Sequence, residues 1–94
     1  MQIKWQEAAI LDLQYLQEYI TQDKPRAAKE IAQRILEAVN LLSHQLSIGR
    51  PGRVPDTREL VVSGTPYLLT YRVRNEAIEI LRVLHGAMQW PGRF

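Results

Sequence analysis

At 94 residues the chain is long enough for a single domain spanning 1–94, and its 46% apolar and 23% charged content is that of a folded, water-compatible protein. A chain this short buries only roughly 60–65% of the surface that its unfolded form exposes, so its core is thin and a partner covering apolar surface would add to its stability. The net charge of +2 is small, and the absence of cysteine excludes disulfides and thiolate metal sites.

In chain order, residues 2–5 read as a short strand, and the start Met1-Gln2-Ile3-Lys4-Trp5 has no signal-peptide pattern. No apolar run approaches the roughly 18 residues of a membrane span. The expectation is a cytoplasmic protein that makes no membrane contact. Residues 6–46 read as helical. Ala9, Leu13, Leu16 and Ile20 recur at helical spacing and define one face. The Thr21–Lys24 stretch is polar, Pro25 suits the first turn of a second helix, and Asp23 is a candidate cap. Ala28, Ile31, Ile35, Val39, Leu42 and Leu46 form the stripe of that second helix. Two amphipathic helices with so short a link are expected to pack as an antiparallel hairpin.

The Ser47–Thr57 segment holds Gly49, Pro51, Gly52 and Pro55, and that density of breakers predicts a loop with no regular element. Arg58–Val62 then reads as a strand, Ser63-Gly64-Thr65 as a turn, Tyr67–Val73 as a strand, Asn75-Glu76 as a turn, and Ala77–His85 as the last strand. Strand alternation puts Tyr67, Leu69, Tyr71 and Val73 on one face. It likewise predicts that Ile78, Ile80, Arg82 and Leu84 share a face, with Glu79, Leu81, Val83 and His85 on the other. The fold class is α+β, in the order β-α-α-β-β-β: an N-terminal strand and an antiparallel three-stranded C-terminal meander, with the helical hairpin packed on one face of the sheet.

Charge is uneven along the chain. Residues 1–47 carry five basic and six acidic side chains, whereas residues 48–94 carry seven basic and four acidic, and all seven of those cations are arginines. Arginine forks bind phosphate and carboxylate bidentately, so this half could face nucleic acid or an acidic protein; a solvated sheet rim accounts for the charge equally well. Metal-ligand spacing, a phosphate-binding glycine loop and a nucleophile elbow are all absent from the sequence, so no metal and no cofactor are expected. His44 suits the end of the second helix, where a cation complements the helix dipole, and carries no functional weight. His85 ends a strand beside Gly86, in the same region as Arg72 and Arg82. There it could work as a general acid/base, with the arginines stabilising charge on a phosphate; hydrogen bonding at a strand end is the plainer role.

The succession TRELVVSGTPYLLTYRV, then AIEILRVLHGAMQWP, resembles the RelE/ParE superfamily of type II toxin–antitoxin toxins. The likeness covers nearly the whole chain, including the Gly/Pro/Arg-rich loop, Arg58-Glu59, Pro66-Tyr67, Tyr71-Arg72-Val73 and the His85-Gly86 ending. It implies the fold read above and a toxin neutralised by a small cognate antitoxin, which usually carries the DNA-binding domain, so that any DNA contact of this chain is indirect. Two activities occur in the superfamily. RelE-like members are ribosome-dependent mRNA endonucleases; ParE-like members are not nucleases but inhibit DNA gyrase. Where nucleases often place an arginine after the strand aromatic, this chain has Leu68, and where the family often shows His-x-x-Arg, Met88 follows His85-Gly86-Ala87. For a nuclease, which would meet ribosome and mRNA, the candidate catalytic residues are His85, Arg82 and Arg72. The His-Gly-Ala-x-x-Trp-Pro ending looks more like ParE-type sequences. That resemblance implies growth arrest through DNA gyrase, with Arg58, Arg72, Arg82, His85, Trp90 and Arg93 as the target-binding set.

Overall fold

The computed structural model describes residues 1–87; Met88, Trp90 and Arg93 lie outside the described residues. The element order is β1 (Gln2–Trp5), α1 (Glu7–Thr21), α2 (Pro25–His44), β2 (Arg50–Pro51), β3 (Arg58–Val61), β4 (Tyr67–Arg74) and β5 (Ala77–His85). The five strands form one sheet in the order β1-β5-β4-β3-β2. The β3-β4-β5 meander is antiparallel, as the turn signals predict, and β1 adds to it parallel, with Ile3 opposite Ile78 and Trp5 opposite Ile80.

The helices form because their apolar stripes are buried together on one face of this sheet. Ala9 and Leu16 of α1, with Ile35, Val39 and Leu42 of α2, meet Leu69, Tyr71, Ile78, Ile80 and Val83 of the sheet in one core cluster. Ile3, Trp5, Leu13, Ile20, Ile31 and Leu46 pack around it, half-buried. Removing apolar surface from water at about 25 cal/mol per Å² is the main favourable term in such a core. Pro25 occupies the start of α2, where its missing N–H costs nothing.

Four features depart from the sequence reading. Asp23 does not cap α2: Lys24 holds that position with no side-chain cap, and the Asp23 and Lys24 amides both donate to the Ile20 carbonyl. The α1 exit is closed by backbone bonds, leaving the Asp23 carboxylate no role there. Leu46 lies beyond the end of α2, although it still packs against the core. The Gly/Pro-rich segment contains a strand after all. Arg50 and Pro51 pair with Glu59 and Arg58 at the sheet edge, a position where proline is tolerated because its outward side needs no donor.

The fourth departure is the facing of β5. Thr70 pairs with Arg82, but Tyr71 pairs with Ile80, so Leu81 is an extra, bulged residue. The alternation flips there. Ile78 and Ile80 face the helices together with Val83 and His85, while Arg82 and Leu84 turn to the opposite side with Thr70 and Leu68. The β4–β5 turn uses Asn75 and Glu76 at φ of 52° and 58°, the paired left-handed geometry that matches strand twist in a two-residue hairpin.

Candidate functional site

The bulge decides where the candidate side chains end up. His85 lies opposite Tyr67 at the end of the hairpin, and the two rings meet edge-on at 5.5 Å. The Ala87 N–H donates to His85 Nδ1 at 3.0 Å, so the neutral imidazole carries its proton on Nε2. Arg82 sits on the other side of the sheet and reaches across the β5 edge to α1. Its Nε and Nη2 donate to the two carboxylate oxygens of Asp12 at 2.6 and 2.9 Å. The same carboxylate accepts the Val83 N–H at 3.0 Å. This edge of β5 extends beyond β1, whose pairing stops at Ile80, so Asp12 takes the place of a missing strand partner. The bidentate bond raises the Arg82 pKa, against the opposing effect of burial.

Arg72 is likewise engaged. Its Nε donates to Glu79 Oε1 at 2.5 Å, and Gln6 Nε2 donates to Glu79 Oε2. The Arg72 bond, followed by the charges of Arg72, Arg74 and Lys4, holds the Glu79 carboxyl below its usual range despite partial burial. Arg58 donates from Nη1 to the Gly49 carbonyl at 2.8 Å, next to Tyr71. In the loop, the buried Glu59 carboxylate accepts the Arg53 backbone N–H at 2.7 Å and lies within ion-pair distance of Arg50 and Arg53. The structure therefore separates the proposed nuclease residues. His85 is on the helix side, Arg72 and Arg82 are on the other, and each arginine is bonded to its own carboxylate. Much of the arginine excess of the second half is spent on internal partners. Among the described residues no group of three His, Cys, Asp or Glu side chains is placed to hold a metal ion, and no helix is long and apolar enough to cross a membrane.

A groove of about 500 Å³ runs between α1 and the His85 end of the sheet. Tyr15 and Tyr19 line it from α1, and Tyr67, Val83 and His85 line it from the sheet, with Asp12 at its floor. Tyr15 and Tyr19, four residues apart, stack at 6.4 Å with their rings 16° from parallel, yet they are 70% and 66% exposed. Burial, and then the neighbouring Tyr19, push the Tyr67 hydroxyl pKa up. The sequence reading did not single out Tyr15, Tyr19 or Asp12. The signal was present: Leu11, Tyr15 and Tyr19 form a second apolar stripe on α1, outside the Ala9–Leu13–Leu16–Ile20 face that the core uses.

Comparison with known proteins agrees with this fold. Residues 3–90 match the family described as the ParE toxin of the type II toxin–antitoxin system parDE. The toxin candidate Y4kP of Sinorhizobium fredii is 42% identical over 89 residues, which is 95% of this chain and 92% of that protein. Toxin RelE2 of Caulobacter vibrioides is 35% identical over 86 residues, covering 92% and 96% of the two chains. Among solved structures, a chain of the chromosomal ParDE toxin–antitoxin system from P. aeruginosa superposes with a TM-score of 0.83 at 31% identity, over 90% of this chain and 95% of that one.

Proposed function

Because this chain belongs to the ParE toxin family of type II toxin–antitoxin systems, we propose that it arrests growth by binding and inhibiting DNA gyrase in the cytoplasm, and that its antitoxin neutralises it. The observation that carries the gyrase reading is the separation of the candidate catalytic groups. Bond cleavage needs an acid/base and charge-stabilising donors converging within about 3 Å of the reacting atoms. Here His85 lies on one side of the sheet, while Arg72 and Arg82 lie on the other, each bonded to a carboxylate. Such an arrangement supports recognition better than chemistry.

Within the proposed target-binding set the roles divide. His85, and Trp90 and Arg93 after it in the sequence, are the proposed direct contacts, since tryptophan and arginine are the usual anchors of protein interfaces. Arg58, Arg72 and Arg82 are proposed to shape that surface from within, each through the internal bond described above. The test is a supercoiling assay with purified gyrase. Inhibition that weakens on Trp90→Ala is the expected result; full gyrase activity at stoichiometric excess of the protein would overturn the reading.

One observation favours a second reading: the 35% identical Caulobacter relative bears the name toxin RelE2. Under it the chain would cleave mRNA on translating ribosomes, with His85 as acid/base and Arg72 and Arg82 as phosphate ligands. Translating ribosomes incubated with the protein should then yield cut mRNA, and His85→Ala should abolish the cuts.

A further inference from the structure

The sheet has a second face, turned away from the helices, and part of it is deeply buried. Val61, Leu68 and Leu84 stand side by side on that face across β3, β4 and β5. Val61 is 54% exposed, yet Leu68 is only 5% and Leu84 only 2% exposed. Thr70, two residues along β4 from Leu68, is 1% exposed. Its Oγ1 is the one buried side-chain polar atom without a hydrogen bond among the described residues. No helix of the described residues lies over this face, because both pack on the other. The turn at Arg53 is tied to it through the Glu59 carboxylate, at the β3 side. A cover reaching the leucines from there would bury Val61, so the cover comes from the β5 side.

The chain itself leaves β5 beside these leucines. Gly86 and Ala87 form a turn, and a Cβ on Gly86 would stand 3.8 Å from Leu68 Cδ1. Residues 88–94, MQWPGRF, follow. Three residues from Ala87 to Trp90 span at most about 11 Å, and Leu84 lies about 10 Å back along β5, so Trp90 can return to the Leu68–Leu84 pair. We propose that residues 88–94 fold back over this face, with the Trp90 indole lying flat on Leu68 and Leu84 and its N–H donating to Thr70 Oγ1. The chemistry matches: an indole nitrogen only donates, a hydroxyl oxygen accepts, and a buried polar atom left unpaired is costly. An indole laid flat on a sheet keeps one ring face outward. Trp90 is thereby ordered before the target arrives, which removes part of the entropic cost of the contact proposed above. That use of the docked segment rests on the gyrase reading; the docking itself does not.

The chain has no cysteine, so a single introduced thiol reports the cover. In the full chain, Leu68→Cys should react with a soluble thiol reagent roughly tenfold more slowly than Val61→Cys, and adding Trp90→Ala should remove most of that protection. A Leu68→Cys rate indifferent to Trp90→Ala would overturn the proposal. Should Leu68→Cys fail to fold, the parent protein decides. Nuclear Overhauser contacts are expected between the Trp90 indole, assigned with Trp90→Phe, and the Leu68 and Leu84 methyls; their absence would overturn the docking. Thr70→Val should lower the unfolding midpoint of the parent but not that of Trp90→Phe. A raised midpoint in both would overturn the hydrogen bond. Protection that grows with protein concentration would assign the cover to a second copy of the chain and overturn the folded-back segment. None of these measurements involves gyrase. Docking observed together with full gyrase activity would therefore remove the gyrase reading and leave the segment in place.

Discussion

Tyr71 and the Tyr15–Tyr19–Tyr67 group are the same kind of side chain put to opposite uses. Tyr71 is fully buried, and both capacities of its hydroxyl are used: it donates to the Leu46 carbonyl at 2.8 Å and accepts the Gly49 N–H at 3.0 Å. Those two bonds tie the exit of α2 and the start of the Gly/Pro-rich segment to the centre of the sheet. Gly49 is required there because a Cβ at that position would come within 2.5 Å of the Tyr71 hydroxyl. Tyr15 and Tyr19, on α1, stack on each other and face outward. The contrast shows how a thin-cored domain divides its aromatic surface. Tyr71 is committed to holding distant segments together, Tyr67 is half-buried against the core, and Tyr15 and Tyr19 stay uncovered where a partner can bury them.

The comparison breaks most decisively at Tyr71. Tyr71→Ala should cost about 3–5 kcal/mol through the lost ring and the cavity left behind. Tyr71→Phe isolates the hydroxyl: it leaves a buried N–H and a carbonyl unpaired and should cost about 1–3 kcal/mol. Urea denaturation monitored by circular dichroism measures both; Tyr71→Phe at parental stability would refute the bracing role. Next in size is Asp12→Ala, which removes the polar brace beneath the open groove. Arg82 and the Val83 N–H both lose their partner, and the expected loss is about 1.5–3 kcal/mol at low salt, reduced by the partial exposure of the pair. An unaffected unfolding midpoint would mean that solvent substitutes for Asp12 at the β5 edge.

Smaller still is the acid dependence set by the Arg72–Glu79 pair, next to Tyr71 in the β4–β5 ladder but on the opposite face of the sheet. Arg72 depresses the folded-state pKa of Glu79 below its ordinary 4.5. Its contribution to stability is therefore fully present above about pH 4.5 and is lost as pH falls through the depressed folded value. Arg72→Gln should flatten that part of the stability–pH curve while leaving neutral-pH unfolding of the two tyrosine regions in the same order. An acid limb of unchanged slope would assign it to other carboxylates. The smallest expected change in stability is that of Tyr19→Ala, within about 0.5 kcal/mol for a side chain 66% exposed. A larger loss would show that the outward tyrosines also hold the fold, and would erase the contrast with Tyr71.

Much of the architecture was legible in the residues because it is encoded locally. The spacing of Ala9, Leu13, Leu16 and Ile20 places them on one helical face whatever they pack against, and Asn75-Glu76 between two apolar runs marks a hairpin. The candidate site was less legible. Arg72 and Arg82 read as free cations in the sequence because nothing near them identifies Glu79 or Asp12 as a partner; Arg82 and Asp12 are 70 positions apart. His85 was placed at the right strand end, but its company was not. It stands with Tyr67, Tyr15 and Tyr19, not with the arginines, because one extra residue at Leu81 turns the end of β5 over.

The sequence by itself determined the two amphipathic helices, the antiparallel C-terminal strands, the α+β class and the superfamily likeness. The first three follow from periodicity and turn chemistry within a few residues, and the likeness rests on the motif succession between Thr57 and Pro91. Only the tertiary structure decided the parallel docking of β1 on β5, the short β2 inside a breaker-rich segment, the bulge in β5, and the pairing of each arginine. These depend on which backbone edges and charges meet across the fold. A strand's side-chain period of two cannot reveal an inserted residue whose sole signature is a changed partner.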